Sequence, residues 1–369
     1  MSKADKTTEA ELIAHWVRPQ IRALNAYHVP PAKGFIKLDA MENPYTWPES
    51  TVDAWLEVLR GADLNRYPDA SAHALTTRMR KAMDVPDGVE LLLGNGSDEL
   101  IQMILLAVAG PGRKALFPTP TFSMYHIIAQ YAGVECVGVP LRADDFSVDV
   151  AAFLRAIDEH APAVIFLAYP NNPTGNLFDR HAIDAIIARA PGLVVLDEAY
   201  HAFAGDSFVG DVLRYNNLVV LRTLSKMGLA GLRVGVALGK PAWLHELNKL
   251  RLPYNINVLS QLSAEFALGH QTMLDTQTAH ICRDREQLIE KLRTLPGAAP
   301  YPSQANFVLF RVASGRADAI FVGLKARRVL IKNLHGSHPQ LADCLRVTVG
   351  TPEENQAFLE ALKAVLAGK

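Results

Sequence analysis

Leu193-Val194-Val195-Leu196-Asp197-Glu198-Ala199-Tyr200 is the stretch on which the fold turns. Its aliphatic run lacks the polar alternation of a half-solvated strand, so it reads as a strand covered on both faces. The run stops on two acids. In open α/β sheets, ligands collect beyond the carboxyl ends of the strands, and Asp197 is the next residue such a strand delivers there. A loop-capping aspartate and a partner for a protonated ring nitrogen both fit that place. Opposite charge in a poorly solvated crevice favours the pyridinium form of such a ring.

Working outward, short apolar runs recur at 89–93, 115–117, 134–139, 164–168, 218–221 and 234–238. Segments of helical period lie between most of them, with faces such as Leu100, Ile104, Leu105 and Val108, or Ile183, Ile186 and Ile187. Apolar strands separated by helices specify an α/β domain with a mainly parallel sheet. Beyond Pro253 the pattern changes: 271–295 reads as a long charged helix, 306–312 and 345–349 as strands, and 353–366 as a closing helix. The organisation expected is an arm with little structure over 1–35, a large domain over 36–260 and a smaller α+β domain over 261–369.

The chain has 369 residues, 37 Lys+Arg against 38 Asp+Glu and a net charge of −1. No basic run calls for nucleic acid or an anionic membrane surface. The apolar runs are too short to span a bilayer, and 1–11 is polar, without an apolar signal segment. Cys136, Cys282 and Cys344 form no CxxC pair and no even disulfide set. A soluble, reducing, cytoplasmic setting is expected.

The strand after Asp197 leads into Leu221-Arg222-Thr223-Leu224-Ser225-Lys226, then Gly228, Gly231 and Arg233. A lysine in such a cleft is desolvated and nucleophilic, as condensation with a carbonyl requires. Ser225 offers a hydroxyl, and Arg233 a fork suited to phosphate. Leu93-Gly94-Asn95-Gly96-Ser97-Asp98-Glu99 is a strand, a glycine turn and a helix start at Asp98 or Glu99, which is an anion-binding arrangement. Glu99 stands where a dinucleotide fingerprint needs its third glycine, so a single phosphate fits better than NAD. Tyr169-Pro170-Asn171-Asn172-Pro173-Thr174-Gly175 is a rigid turn that aims Asn172 at the crevice. Phe122, after Pro118-Thr119-Pro120-Thr121, suits stacking on a flat ring or a place in the core. His335-Gly336-Ser337-His338 has no third ligand and reads as a surface loop, so no metal is expected. GxSxG and HExxH motifs are absent.

Together, Asn172 in PNNPTG, Asp197 in DEAY, Lys226 in SK and Arg233 resemble the fold-type I aminotransferases. Glu42-Asn43-Pro44-Tyr45, Arg66-Tyr67-Pro68 and Leu345-Arg346-Val347-Thr348-Val349-Gly350 narrow the resemblance to the histidinol-phosphate aminotransferases, over about 18–366. The resemblance implies pyridoxal 5'-phosphate attached to Lys226, which also shuttles the proton. It implies Asp197 at the pyridine nitrogen, and Tyr200 and Asn172 at the ring oxygen. Phe122 would lie on the ring, and Gly96, Ser97, Asp98, Ser225 and Arg233 would surround the phosphate. Arg346 and Lys332 would take the anionic end of the substrate, with Tyr27 closing over it. Tyr67 would reach the cofactor of a second subunit in a homodimer. The implied reactants are histidinol phosphate and 2-oxoglutarate, with glutamate as a product.

Three positions depart from the family pattern: Phe122 for a frequent Tyr, Met41 for a polar Asn, and Lys332 for an Arg. An aromatic aminotransferase or a threonine-phosphate decarboxylase on the same scaffold remains an alternative. So does a non-catalytic PLP-fold binding protein, although no basic helix or spare segment serves DNA binding. A nicotinamide dehydrogenase is disfavoured by the broken glycine fingerprint.

Overall fold

A computed structural model describes residues 7–26, 29 and 31–368. The arm, expected to carry little structure, is helical in two places. α1 (Glu9–Trp16) opens on a capping box in which Thr8 and Glu11 satisfy each other's backbone N–H, and α2 (Pro19–Arg22) starts on a proline. Arg18, between them, donates to the carbonyl of Tyr131 and ties the arm to the body.

After β1 (Ile36–Lys37), α3 (Glu49–Arg60) and α4 (His73–Ala82), strands and helices alternate. They run β2 (Glu90–Gly94), α5 (Ser97–Val108), β3 (Lys114–Thr119), α6 (Ser123–Ala132), β4 (Glu135–Pro140), α7 (Val150–His160), β5 (Val164–Ala168), α8 (Arg180–Arg189) and β6 (Leu193–Asp197). β7 (Leu218–Thr223), β8 (Gly235–Gly239) and α9 (Pro241–Asn248) complete the unit. Among the described residues, β2 to β8 form one sheet in the order β2-β8-β7-β6-β5-β3-β4. Only β8 runs against its neighbours; the pairs β7–β6, β6–β5, β5–β3 and β3–β4 are parallel.

The expected burial on both faces is present. Leu193 and Val195 of β6 point into the core shared with α5, α6 and α9, whereas Val194 and Leu196 point into the core shared with α4, α7 and α8. Each such aliphatic side chain contributes roughly 1.5–3 kcal/mol on burial.

α10 (Val258–Leu268) and α11 (Gln271–Arg293) lead into the C-terminal unit. There β9 (Ala298–Pro300), β10 (Phe307–Val312), α12 (Ala317–Ala326), β11 (Val329–Leu330), β12 (Lys332–Asn333), β13 (Cys344–Thr348) and α13 (Pro352–Leu366) follow in turn. An antiparallel sheet of order β12-β13-β10-β9 packs on a core that includes Phe307, Phe310, Phe358 and Leu362. β1 pairs in parallel with β11, and Leu38 is buried in this same core. Residues 36–38 therefore dock on the C-terminal unit although they precede the large sheet. Among the described residues, no helix is long and apolar enough to cross a membrane.

Candidate active site

Several strands end at one pocket. β6 delivers Asp197, the turn after β5 delivers Asn172, β3 is followed by Phe122, β7 by Lys226, and β2 by Ser97. β8 is antiparallel, so its beginning rather than its end lies at this edge, and Arg233, just before it, joins the same pocket. Ser225, Tyr200 and Asp98 complete the set.

One end of the pocket is built for an anion. Ser97 and Asp98 are the first residues of α5, so their backbone N–H groups have no partner within the helix. The helix thus begins at Ser97, one residue before the expected start. Arg233 Nη1 donates to Ser225 Oγ at 3.3 Å, and Thr223 Oγ1 donates to the same hydroxyl oxygen at 2.9 Å. Asp98 pairs with Arg233 at 3.6 Å, and burial holds its carboxyl above the ordinary range. A carboxylate repels an anion, so what Asp98 offers an anion is its N–H. Gly96 has φ +86°, and a Cβ there would stand 2.4 Å from Arg233 Nη2. A Cβ on Gly235 would stand 2.6 Å from Ser97 N. The turn, the arginine and β8 are pressed together at distances only glycine permits.

The other end holds a buried acid. Asp197 Oδ2 accepts from Tyr125 Oη at 2.7 Å, and Oδ1 from Ala199 N at 3.1 Å. Burial raises its pKa to about 6, and the Tyr125 hydrogen bond opposes that rise. Glu198, the next residue, points to the other face of the sheet. It pairs with the buried Arg222 at 3.0 Å and accepts from the N–H of Phe208 at 2.6 Å.

Lys226 lies between the two ends. Burial, and then the charge of Arg346, lower its pKa to about 8, so roughly a tenth of it is free base at neutrality, far more than for a solvated lysine. Its Nζ donates to Ala40 O at 3.3 Å and lies 5.8 Å from the centre of the Tyr200 ring. Asn172 Nδ2 donates to Tyr200 Oη at 3.2 Å, and burial raises the tyrosine pKa so that it remains a phenol. Arg346 donates to Asn172 Oδ1, and at 3.1 Å to Asp39 O. The carbonyls of a strap running over 39–41 thus accept from both Lys226 and Arg346. Lys332 is the cross-strand partner of Arg346 and is exposed.

Tyr67 does not join this pocket. It is 80% exposed and stacks on Tyr254 at 4.4 Å between ring centres. Tyr27 lies outside the described residues. His335 Nδ1 accepts from the N–H of Asp343 at 2.9 Å and His338 Nδ1 from that of Gln340 at 3.2 Å, so both serve their loop. Met41 adopts φ +53° and lines the pocket. An Asn at such a position tolerates the left-handed region better than Met does. Tyr125 is the functional group that motif reading misses. The available signal was a polar-tipped aromatic on the buried face of a helix, whose hydroxyl needs a partner.

An anion cradle, an amine of lowered pKa, an aromatic wall and a buried carboxylate lie in one pocket. They fit a phosphorylated, cationic heteroaromatic aldehyde, and pyridoxal 5'-phosphate has those parts.

The family model described as aminotransferase class I and II matches residues 33–362. A histidinol-phosphate aminotransferase 2 from Nitrosococcus oceani is 57% identical over 352 residues, which are 95% of this chain and 98% of that protein. A histidinol-phosphate aminotransferase from Chromobacterium violaceum is 50% identical over 94% of this chain and 97% of its own length. The crystal structure of histidinol-phosphate aminotransferase from Sinorhizobium meliloti in complex with pyridoxal-5'-phosphate matches with a TM-score of 0.85. That match covers 95% of this chain and 97% of the other at 24% identity, a likeness of fold.

Proposed function

The chain belongs to the class I and II aminotransferases, and on that premise we propose that it moves the amino group of L-histidinol phosphate to 2-oxoglutarate. The products are imidazole-acetol phosphate and L-glutamate, and the cofactor is pyridoxal 5'-phosphate. The observation that carries the reading is Lys226, a buried amine with a pKa of about 8, lying in one pocket with Asp197 and the Ser225–Arg233 anion cradle. The name carried by the relatives at 57% and 50% identity supports the choice of substrate.

When bound, the cofactor supplies an aldehyde that captures the amine and a ring that accepts the electron pair of the broken Cα–H bond. The protein's residues do the rest. Lys226 Nζ, as free base, takes the proton from the substrate Cα and holds it for return. Asp197 holds the positive charge at the ring nitrogen, while Tyr200 Oη and the Asn172 amide hydrogen-bond the ring oxygen. The Ser97 and Ser225 hydroxyls, the α5 N–H groups beside Gly96 and Asp98, and Arg233 hold the phosphate, and Phe122 covers the ring face. Arg346 exchanges Asp39 O for the anionic group of the substrate, and the neighbouring Lys332 adds a second positive charge.

The reading includes a homodimer in which Tyr67 reaches the cofactor phosphate of the other subunit. The exposed Tyr67–Tyr254 stack supports it, as do the largely exposed Leu64 and Leu252 in the same two segments. The setting proposed is cytoplasmic.

Steady-state kinetics test the reaction. L-Histidinol phosphate and 2-oxoglutarate should give parallel double-reciprocal lines and L-glutamate, because the amino group is parked between two half-reactions. Removing the phosphate of the amine should lower kcat/KM by about tenfold or more, since a charge-assisted contact contributes roughly 1.5–3 kcal/mol. Equal efficiency on histidinol and its phosphate would replace this reading with that of an aromatic aminotransferase.

A further inference from the structure

Tyr125 lies outside every motif that marks the site, on the buried face of α6. Its hydroxyl donates to Asp197 Oδ2 at 2.7 Å. Its ring stacks on Phe166 at 4.9 Å and 17°, and meets Phe122 edge-on at 5.5 Å and 89°. The side chain is fully buried, so the hydroxyl is shielded from bulk solvent. Among the described residues, Asp197 has two donors: the N–H of Ala199, which no side-chain change removes, and Tyr125. One residue therefore touches both the acid and the aromatic wall.

We propose that Tyr125 is a positioning residue that fixes how the pyridine ring of the cofactor is held. It aims the Asp197 carboxylate at the ring nitrogen and braces Phe122 against the ring face. The inference rests on reading the pocket as a pyridoxal 5'-phosphate site. A buried carboxylate deprived of a donor takes up a proton more readily, and a protonated Asp197 does not hold a cationic nitrogen. Beyond burial, Asp98 and Glu198, the acids nearest to it, raise the carboxyl pKa further, whereas the cations of the site, Lys226, Arg233 and Arg346, favour the carboxylate.

Tyr125→Phe keeps the ring, its stacking and its volume, and removes only the hydroxyl. The test is equilibrium binding, by fluorescence titration of cofactor-free protein, with two probes: pyridoxal 5'-phosphate and its 1-deaza analogue, which carries carbon in place of the ring nitrogen. Wild type should prefer the natural cofactor. In Tyr125→Phe that preference should shrink about tenfold, the effect of losing one hydrogen bond to a charged group. The same substitution in an Asp197→Asn background should leave the preference unchanged, because the group through which Tyr125 acts is gone. Equal weakening of both probes by Tyr125→Phe would reduce Tyr125 to packing and overturn the proposal. So would a loss of preference as large in the Asp197→Asn background. If wild type binds neither probe, the functional reading fails together with this one; if wild type shows the preference and the variant keeps it, this inference alone fails.

Discussion

At the scale of single residues, Asp197 is held at a cost. Burial raises its folded-state pKa from 3.8 to about 6. An acid whose folded pKa is raised stabilises the protein below its unfolded pKa, and that stabilisation is lost as pH rises through the folded value. The contribution of Asp197 to the stability of the cofactor-free protein should therefore fall between pH about 4 and about 6, by up to about 3 kcal/mol. Asp197→Asn carries no charge to bury. At pH 8 its cofactor-free form should melt at or above the wild-type temperature, while the stabilisation added by pyridoxal 5'-phosphate should be smaller than in wild type. Paired thermal melts check both signs, and a cofactor-free variant melting well below wild type would contradict them. Asp197, Asn172 and Lys226 are legible in the sequence because each stands just past an apolar run, where a parallel sheet gathers its ligands. Tyr125 is not, since Tyr125, Ile128 and Ala129 form an ordinary buried helix face; only its partner, distant in sequence, separates it from core.

At the scale of elements, the anion cradle depends on how closely β8 approaches the start of α5. Gly235 pairs with Gly94 across that edge, and a side chain on it would strike the Gly96–Ser97 peptide. Gly235→Ala should displace the turn, costing roughly 1–3 kcal/mol of stability, and weaken cofactor retention at least about tenfold. The far-ultraviolet dichroism should stay native. Dialysis followed by absorbance of the retained cofactor measures the effect; wild-type retention would show that the turn tolerates the shift. The long strands are legible because burial on both faces leaves a continuous aliphatic run. The antiparallel direction of β8 is not, since such a run carries no polarity. β1, β11 and β12 have two residues each, too few to show a period. The helix α1 was marked by Thr8 and Glu11, a capping-box spacing hidden in a segment dominated by polar residues.

At the scale of the molecule, a site shared between two subunits, as proposed, is open to a decisive complementation experiment. A Lys226→Ala subunit lacks the amine, and a Tyr67→Asp subunit places a negative charge where the partner's phosphate would lie. Each homodimer should be nearly inactive. A mixed dimer joins an intact Lys226 from one subunit to an intact Tyr67 from the other, so one of its sites carries no lesion and activity should return. Verified mixed dimers without activity would rule out the shared site, as would a fully active monomer. Closed two-fold association is the commonest arrangement of soluble oligomers and makes the two sites equivalent.

Asp197 and Glu198 are neighbours in the chain and face opposite sides of the sheet, one toward the pocket and the other toward Arg222. Adding or deleting a single residue within Leu193–Asp197 would shift both acids by one place. The pocket would receive Glu198 or Leu196, and the arginine would lose its partner. This strand admits no change of length. Across descendants of this chain, substitution can alter the strand's aliphatic residues, while the count of residues from its start to its acid must be inherited unchanged.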